Sequence, residues 1–425
     1  MNIRRLRVGA ALAAVSLTGT IAACGEDTVD IFRPAAPVSP IFTSYVALGN
    51  SITAGYQSGG INDATQKESY ARLVAQQMRT RYAYPALAGA GCPAPTAGVF
   101  RNPTTEPSNG CALRNPSSFS AVLNNVGVPG AAVADLTTAT TARSNFLTSL
   151  FLGGKTQVTK ALDAQPTFVS VWIGNNDVLD PGVKGVAVFA NDTTTAAKNL
   201  RTLVGTPGIT DTNTFRSSYA SAANALRARV ERGVLIGVVN VTQAPILFLA
   251  EALLTDTAFR NAFQEKVNTA AQGASRPVTV HPNCAGSGAL VSFAIVGTLA
   301  AQTSDAARVI SCVRNQPAAG LGEVFILDAA EQATFTTIIS RYNAYIKAKA
   351  DSMGYAYLNA DSVLAALKTS GGVATLPDLR NTATPFGAAV SMDGVHPSKV
   401  GHQVIARALI TVINSKYGTS IPQLP

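Results

Sequence analysis

The sequence is poor in charged residues, cysteine and histidine, and no apolar run in it is long enough to span a membrane. Charged residues make up 13% of 425, about half of the ~25% usual in globular domains. Hydrophobic residues make up 47%, which excludes a disordered chain. The three histidines, the lack of a Cys-x-x-Cys spacing and the lack of clustered Lys and Arg with interleaved aromatics argue against a metal site and against nucleic-acid binding.

The N-terminus has the layout of an export signal. Three arginines precede a weakly apolar run at 8–23, and this run is weaker than the ~20 strongly apolar residues that a membrane-spanning helix prefers. The run ends in IAAC at 21–24, which resembles the lipobox of bacterial lipoproteins. The resemblance implies cleavage before Cys24 and attachment of lipid to that cysteine. An ordinary signal peptide that happens to contain a cysteine is the alternative.

Cleavage before Cys24 would divide the chain into a signal peptide (1–23), a lipidated proline-rich tether (24–43) and a body (44–425). Three arginines leave with the signal, so the net charge falls from +9 to +6. Several acyl chains attach a protein stably, whereas one chain alone binds a membrane marginally. Gly25 is not the Asp associated with inner-membrane retention, so the resemblance implies a protein exported to the bacterial cell envelope and anchored at the outer membrane.

Four cysteines remain when Cys24 is set aside. Export to an oxidising compartment favours two disulfides, and four cysteines allow three pairings. We expect the local pairs Cys92–Cys111 and Cys284–Cys312, because each pair brackets a stretch rich in Gly, Pro and Ser.

The body alternates β-rich runs with helical patterns, as a parallel sheet covered by helices on both faces does. The predicted strands are Ser44–Leu48, Ser120–Val128, Thr167–Ile173, Val234–Val241 and Tyr355–Leu358. The predicted helices are Glu68–Met78, Thr214–Glu231, Ala330–Met353 and Lys399–Tyr417. The alternation is interrupted at about 85–118 and 248–328, which predicts one α/β domain with two disulfide-stapled insertions. The apolar segment Ala289–Ala301 is predicted to be a buried hairpin or helix of the second insertion, with an acyl-binding lid as the alternative.

Ligands of open α/β sheets bind at the carboxyl ends of the strands, and three short motifs follow predicted strands. Ser51 lies in GNSIT after the first strand, where the start of a helix leaves its N–H free. Gly130 follows the second strand, and its lack of a side chain opens its N–H to a substrate oxygen. Asn176 lies in GNND after the third strand and offers a carboxamide donor.

A fourth motif, DGVHP at 393–397, supplies an acid and a base. Asp393 and His396 are three residues apart in one loop, so a hydrogen bond between them can set the tautomer of the imidazole. Together the four motifs contain the nucleophile, base, orienting acid and oxyanion donors of a serine hydrolase. His402 in the last helix is the competing base and is predicted to be a structural or surface residue, and His281 is predicted to lie in a loop.

The four motifs resemble the four blocks of the SGNH (GDSL) hydrolases, a family of esterases and lipases. The resemblance implies a flavodoxin-like three-layer α/β/α fold with a five-stranded parallel sheet, and no metal or organic cofactor. It also implies the site residues, which are Ser51 as nucleophile, His396 as base, Asp393 as its partner, and Ser51, Gly130 and Asn176 as the oxyanion hole. The chain departs from the family at Asn50, where Gly-Asp-Ser has become Gly-Asn-Ser.

The sequence therefore predicts a lipid-anchored serine esterase, expected to be a monomer, that hydrolyses carboxylic esters through an acyl-enzyme. The tether and the apolar segment of the second insertion favour an acyl or lipid ester as the substrate. One alternative is an O-deacetylase of envelope or environmental polysaccharide. Another is a non-catalytic surface-binding lipoprotein, which Asn50 alone favours.

Overall fold

A computed structural model of the chain describes residues 36–96, 113–115, 118, 122–273, 275–305, 308–313 and 324–425. The compact unit formed by these residues begins at Pro37 and ends at Pro425. The predicted signal peptide, Cys24, most of the predicted tether, and Cys111 lie outside the described residues.

The strands are, in chain order, β1 (Tyr45–Gly49), β2 (Leu87–Ala88), β3 (Leu113–Arg114), β4 (Phe168–Trp172), β5 (Arg232–Ile236), β6 (Leu247–Leu249), β7 (Thr279–Val280), β8 (Leu290–Ser292), β9 (Val309–Ile310), β10 (Ile326–Leu327) and β11 (Ala356–Leu358). The helices are α1 (Ser51–Ala54), α2 (Asp63–Glu68), α3 (Tyr70–Gln77), α4 (Phe146–Leu152), α5 (Gln157–Leu162), α6 (Asn176–Val183), α7 (Thr195–Val204), α8 (Thr212–Arg227), α9 (Ala252–Thr255), α10 (Thr257–Ala270), α11 (Ile295–Ala301), α12 (Ala329–Met353), α13 (Ala360–Thr369) and α14 (Lys399–Tyr417). Of the helices within the described residues, none has both the length and the apolarity to cross a membrane.

The central sheet consists of parallel strands in the order β1–β4–β5–β11. Every residue of β1 and β4 is buried, because helices cover both faces of the sheet. Val46 and Leu48 of β1 pack in the core that contains α8 and α12. Tyr45 and Ala47 point to the other face and pack in the core that contains α3 and α14. The three-layer α/β/α arrangement predicted from the sequence is confirmed.

The segment predicted as the second strand, Ser120–Val128, joins this sheet without forming a regular strand. In its described part, one parallel bridge joins Asn125 to Ala47, and the N–H of Ala47 donates to the carbonyl of Asn124 at 2.7 Å. Side-chain amides compete with ladder bonds here, since Asn124 Nδ2 donates to the carbonyl of Tyr45 at 2.9 Å. The sheet therefore has four regular strands and an irregular fifth position beside β1.

The body begins earlier than the predicted boundary at residue 44. Phe42 is fully buried and packs edge-on against Phe168, with ring centroids 5.2 Å apart. The N–H of Val38 donates to the carbonyl of Met78 at 3.1 Å. The last residues of the predicted tether thus belong to the folded body, because burial of this aromatic ring fixes the chain that carries it.

The second insertion builds a small core of its own. Strands β6, β8 and β10 form an antiparallel sheet, and Phe248 and Phe293 pack together with ring centroids 4.4 Å apart. The apolar segment Ala289–Ala301 contributes the buried strand β8 and the helix α11, as the prediction of a buried hairpin or helix requires. The predicted Cys284–Cys312 disulfide is present, with the two Cα atoms 5.0 Å apart.

The first insertion is described only in part. Strands β2 and β3 pair antiparallel near its two ends. Cys92 is disulfide-bonded, but its predicted partner Cys111 lies outside the described residues, and the predicted pair stays a prediction.

His402 lies on α14 and contacts Tyr70 at the start of α3. It is fully buried, its Nδ1 accepts a hydrogen bond from the N–H of Tyr70 at 3.2 Å, and the two rings stack with an 18° angle between their planes. Burial lowers the pKa of His402 to about 3, with a further contribution from the charge of His396. His402 is therefore a neutral packing residue of the folded state.

Replacing His402 by Gln should make stability less sensitive to acid. An unfolded histidine titrates near ~6.5, so as pH falls from about 6.5 towards 3 the unfolded chain binds a proton that the folded chain does not. The free energy of unfolding then falls by up to ~1.4 kcal/mol per pH unit, and Gln removes this contribution. Urea denaturation at pH 7, 5.5 and 4.5 measures the slope.

The matched control is His281→Gln, since His281 is exposed in a loop of the second insertion. It should keep the wild-type slope of unfolding free energy against pH. Equal slopes for the wild type and His402→Gln would contradict the burial of a neutral histidine.

Candidate active site

Ser51 is the first residue of α1, directly after β1. The chain passes so close to β4 that a Cβ on Gly49 would lie 2.5 Å from the carbonyl oxygen of Trp172. The side chain of Gln157 makes two hydrogen bonds with the backbone of Gly49. Its Oε1 accepts from the Gly49 N–H at 2.9 Å, and its Nε2 donates to the Gly49 carbonyl at 3.0 Å. The end of β1, and with it Ser51, is thereby held in place.

Asn50 caps the helix that Ser51 begins. Its Oδ1 accepts from the N–H of Ile52 at 3.0 Å, and Asp and Asn cap helices about equally well. Its Nδ2 is buried and has no hydrogen-bond partner among the described residues. The change from the family's Asp therefore keeps the cap.

Ser51, His396 and Asp393 form a continuous hydrogen-bonded chain. Ser51 Oγ lies 2.8 Å from His396 Nε2, and His396 Nδ1 lies 2.9 Å from Asp393 Oδ2. The fold brings these residues together from opposite ends of the body, since 345 residues separate Ser51 from His396. The three predicted catalytic residues therefore meet at one place, in the order that nucleophilic catalysis requires.

Asp393 is held as a carboxylate. Burial by itself raises its pKa, but the charge of a protonated His396 and hydrogen bonds from His396 and Val395 outweigh that effect and hold the pKa well below its usual value. Its Oδ1 accepts from the N–H groups of Val395 and His396 at 2.9 and 2.8 Å, and its Oδ2 accepts from the N–H of Gly59 at 2.8 Å. A fixed negative charge therefore faces the imidazole.

The motifs did not reveal the loop at 56–59, which contacts both the acid and the base. Ser391 Oγ donates to Asp393 Oδ1 at 3.1 Å and accepts from the N–H of Ser58 at 2.9 Å. The ring of Tyr56 lies against the imidazole of His396, with centroids 4.8 Å apart. Nothing in the sequence distinguishes the residues of this loop, because their contacts with Ser391, Asp393 and His396 join positions more than 300 residues apart.

The predicted oxyanion donors share the lining of two spaces, because Asn176 lines one with Ser51 and the other with Gly130. Gly130 has φ +85°, a conformation that residues with a Cβ rarely adopt. Among the described residues, neither the N–H of Ser51 nor that of Gly130 donates a hydrogen bond. Asn176 Nδ2 donates one of its two hydrogens to the carbonyl of Ala131 at 2.8 Å, so the amide is held in place and keeps a second hydrogen for a ligand.

Two buried acids hold the loop that carries Gly130. Asp177 Oδ2 accepts from the N–H of Val133 at 2.9 Å, and Asp135 Oδ2 accepts from the N–H of Ala132 at 2.8 Å. Burial raises the pKa of Asp177 to about 6, against the opposing charge of Arg143. The two acids thus hold the backbone two and three residues beyond Gly130.

Two spaces meet at the site. A wide groove of about 1240 Å³ is lined by Gly130, Asn176, Asp393 and His396, together with residues of the second insertion. A smaller cavity of about 110 Å³ is lined by Ser51, Asn176 and His396 and otherwise mainly by aliphatic side chains. Within the described residues, no group of three or more His, Cys, Asp or Glu side chains is arranged to hold a metal ion.

Solved structures resemble this chain only distantly. The acetylxylan esterase Axe2 from Geobacillus stearothermophilus is 13% identical, with 87% of this chain and 94% of that chain covered and a TM-score of 0.35. LAE5, an alpha/beta hydrolase enzyme from the metagenome of Lake Arreo, Spain, is 13% identical, with 89% and 98% covered and a TM-score of 0.36. These low TM-scores support no inference about substrate.

A search of curated proteins found no match. A family model described as GDSL-like lipase/acylhydrolase matches residues 45–409. That range includes β1, the central sheet and all four motifs. The chain therefore belongs to the GDSL-like lipase/acylhydrolase family.

Proposed function

We propose that the protein hydrolyses carboxylic esters through an acyl-enzyme formed on Ser51. The observation that carries this proposal is the hydrogen-bonded chain from Ser51 through His396 to Asp393, with distances of 2.8 and 2.9 Å. Family membership places the chemistry among ester hydrolases.

In the first half-reaction, Ser51 Oγ attacks the ester carbonyl carbon while His396 Nε2 takes the hydroxyl proton. The N–H groups of Ser51 and Gly130 and the amide of Asn176 stabilise the oxyanion of the tetrahedral intermediate. Collapse of this intermediate breaks the bond to the alcohol, which leaves with the proton from His396. Asp393 stays ionised throughout and stabilises the imidazolium.

In the second half-reaction, water gives a proton to His396 Nε2 and attacks the acyl carbon. The same three donors stabilise the second oxyanion. Collapse releases the carboxylic acid and returns the proton to Ser51 Oγ. Apart from water and the ester, every group used in the two steps is a side chain or a backbone N–H of the described residues.

Deacetylation of a polysaccharide is the second candidate, and the wide groove favours it. Arg143, Asn145 and Lys184 line that groove, and polar side chains of this kind suit a bulky sugar as the alcohol part of the ester. The chemistry at Ser51 would be the same, and only the acyl and alcohol parts would differ.

Ser51→Ala should lose reaction with a fluorophosphonate probe and lower kcat on p-nitrophenyl acetate by at least ~10³-fold, because no other group replaces the nucleophile. Asp393→Asn should lower kcat by about 10⁴-fold, since the amide no longer supplies the charge or the tautomer. Ser149→Ala, at an exposed serine of α4, is the control and should match the wild type. Wild-type turnover by Ser51→Ala would refute the proposed nucleophile.

Asn176→Ala should lower kcat by about 10²–10³-fold with little change in KM, because the lost hydrogen bond forms in the transition state and not with the ester. Steady-state kinetics on p-nitrophenyl acetate measures the split. A thermal melt checks that the loss of the bond to Ala131 has not unfolded the variant. A change confined to KM would assign Asn176 to substrate binding instead.

We also propose that the protein is anchored at the outer membrane through lipid on Cys24. The support is the sequence IAAC directly after the apolar run, followed by prolines at 34, 37 and 40. Expressed with its own signal, the wild type should partition into the detergent phase of Triton X-114, whereas Cys24→Ser should lose that behaviour or keep its signal peptide. A processed wild type found in the aqueous phase would exclude the anchor.

A further inference from the structure

The charge of the body is unevenly distributed between the two edges of the central sheet. We infer that the edge opposite Ser51 docks on the anionic lipid headgroups of the membrane that carries the anchor, so that the active site faces away from that membrane. The inference rests on the proposed anchor at Cys24 and is independent of the proposed hydrolysis.

The strands of the central sheet begin at one edge and end at the other. Tyr45 of β1, Phe168 of β4 and Arg232 of β5 are paired in register at the edge where the strands begin. Ser51 follows the last residue of β1 at the other edge. Since β1 has five residues and a strand rises ~3.3 Å per residue, the two edges lie about 15 Å apart.

The helices that cover the sheet end at the edge where the strands begin. α3 ends there because the carbonyl of Met78 accepts from the N–H of Val38 at 3.1 Å, and α14 ends there because the hydroxyl of Tyr417 donates to the carbonyl of Gly233 at 2.7 Å. α8 and α12 lead directly into β5 and β11. We name the segments gathered here the basic edge, which comprises 37–44, 79–81, 163–167, 227–232, 347–355 and 416–418.

The basic edge has many more basic than acidic residues. It contains three acids, Asp163, Glu231 and Asp351, and eight bases, which are Arg79, Arg81, Arg227, Arg229, Arg232, Lys347, Lys349 and Lys416. Each acid pairs with a base, since Asp163 lies 2.7 Å from Lys155, Glu231 lies 3.7 Å from Arg232 and Asp351 lies 2.8 Å from Lys347.

Five of the bases remain available to an external partner. They are exposed and form no ion pair within the part of the chain that the structure describes, and they are Arg79, Arg81, Arg227, Arg229 and Lys416. Basic residues near helix C-termini also offset the helix dipole. That effect does not account for Arg229 and Arg232, which lie outside the helices.

The active-site edge has the opposite sign of charge. The segments that follow the strands there are 50–60, 125–135, 173–184, 237–246, 359–364 and 391–399. They contain five aspartates and only two lysines, Lys184 and Lys399. An anionic surface therefore attracts the basic edge and repels the edge that carries Ser51.

The chain enters the body at the basic edge. The compact unit begins at Pro37, and the N–H of Ser44, next to β1, donates to Thr167 Oγ1 at 3.0 Å. Cys24 lies thirteen residues before Pro37, and an extended chain spans at most ~3.6 Å per residue, or about 47 Å here. Lipid on Cys24 therefore holds the protein by the edge that carries the unpaired bases.

Anionic phospholipid headgroups are the partner that this charge fits. Each Lys or Arg close to an anionic membrane surface strengthens binding about fivefold, and the anchor keeps the basic edge at high local concentration beside the headgroups. The attraction acts over a Debye length of about 8–10 Å at physiological salt, so it favours direct contact of this edge. Ser51, at the other end of β1, then faces water, and esters reach it from the aqueous side.

Lysine labelling of the lipidated wild type in vesicles tests the orientation. A membrane-impermeant amine reagent should label Lys347 and Lys416 at least about fivefold more slowly on vesicles of 30% phosphatidylglycerol in phosphatidylcholine than on phosphatidylcholine alone. Lys399 is the internal control, because its side chain is 66% exposed against 58% for Lys347, and its rate should not change. Salt at 1 M, where the Debye length is about 3 Å, should remove the protection.

Two results would overturn the inference. One is stronger protection of Lys399 than of Lys416, and the other is equal labelling of Lys416 on the two kinds of vesicle. In the docked protein, kcat/KM on p-nitrophenyl acetate should stay within about twofold of its value on neutral vesicles, because the groove faces water. A large loss of access to this soluble ester on the anionic vesicles would also contradict the orientation.

A charge variant tests whether the basic edge is the cause. Arg79→Gln combined with Arg229→Gln should weaken docking about 25-fold, since two bases near the headgroups are lost, and should restore labelling of Lys416. The matched control is Arg216→Gln combined with Arg341→Gln, because both arginines are exposed, lie on α8 and α12 outside the basic edge, and change the net charge equally. The control should keep the protection, and its loss there would assign the effect to net charge alone.

The proposals fail in different ways. A wild type without ester turnover would reject the hydrolase, whereas the labelling pattern does not depend on turnover and would still decide the orientation. If the chain proves to carry no lipid, cosedimentation with the same vesicles at low salt replaces the reconstituted sample. Binding that requires phosphatidylglycerol and is lost in the Arg79→Gln and Arg229→Gln variant would support the basic edge, and equal binding by that variant would reject it.

Discussion

The largely buried carboxylate of Asp393 is the constraint on which the site depends. It accepts hydrogen bonds from backbone N–H groups of its own loop and from the N–H of Gly59 in the loop after Ser51. One carboxylate therefore connects two segments that are more than 300 residues apart in the chain. The same charge orients His396 towards Ser51. Burial opposes ionisation, but the imidazole and these donors outweigh it, and the loops must stay together for the carboxylate to keep its partners.

The central sheet supplies the rest of the geometry. Parallel strands end at one edge, so the residues that follow β1 and β4 emerge side by side, and the irregular segment beside β1 brings Gly130 to the same edge. Asp177 and Asp135 accept hydrogen bonds from the backbone at Val133 and Ala132, shortly after Gly130. Packing on both faces of the sheet therefore positions Ser51, Gly130 and Asn176, and polar contacts within the loops complete the alignment.

Two spaces of different chemistry border the site. One face of α13 and the ends of the central strands enclose an apolar space next to Ser51. The second insertion, which interrupts the α/β alternation, borders the wide groove instead. Ser51, Asp393 and His396 belong to the part of the chain that the family model matches, whereas the shape of the spaces beside them depends on how α13 and the insertion pack.

The sequence by itself determined the α/β layering, the long helices and the motifs that meet at Ser51, because hydrophobic periodicity and strand-end placement are local properties. It favoured the Cys284–Cys312 pair among three possible pairings, and the structure decided it. It failed at Ser120–Val128, where the side chain of Asn124 takes the carbonyl of Tyr45 in place of a ladder bond, and at Phe42, whose burial moves the start of the body. Only the tertiary structure decided the contacts of Tyr56 with His396 and of Gly59 with Asp393. It also decided the hydrogen bonds between Gln157 and Gly49 at the end of β1, and the cavity beside Ser51. These features join residues far apart in the chain, so the contacts that form them are made only once the chain has folded.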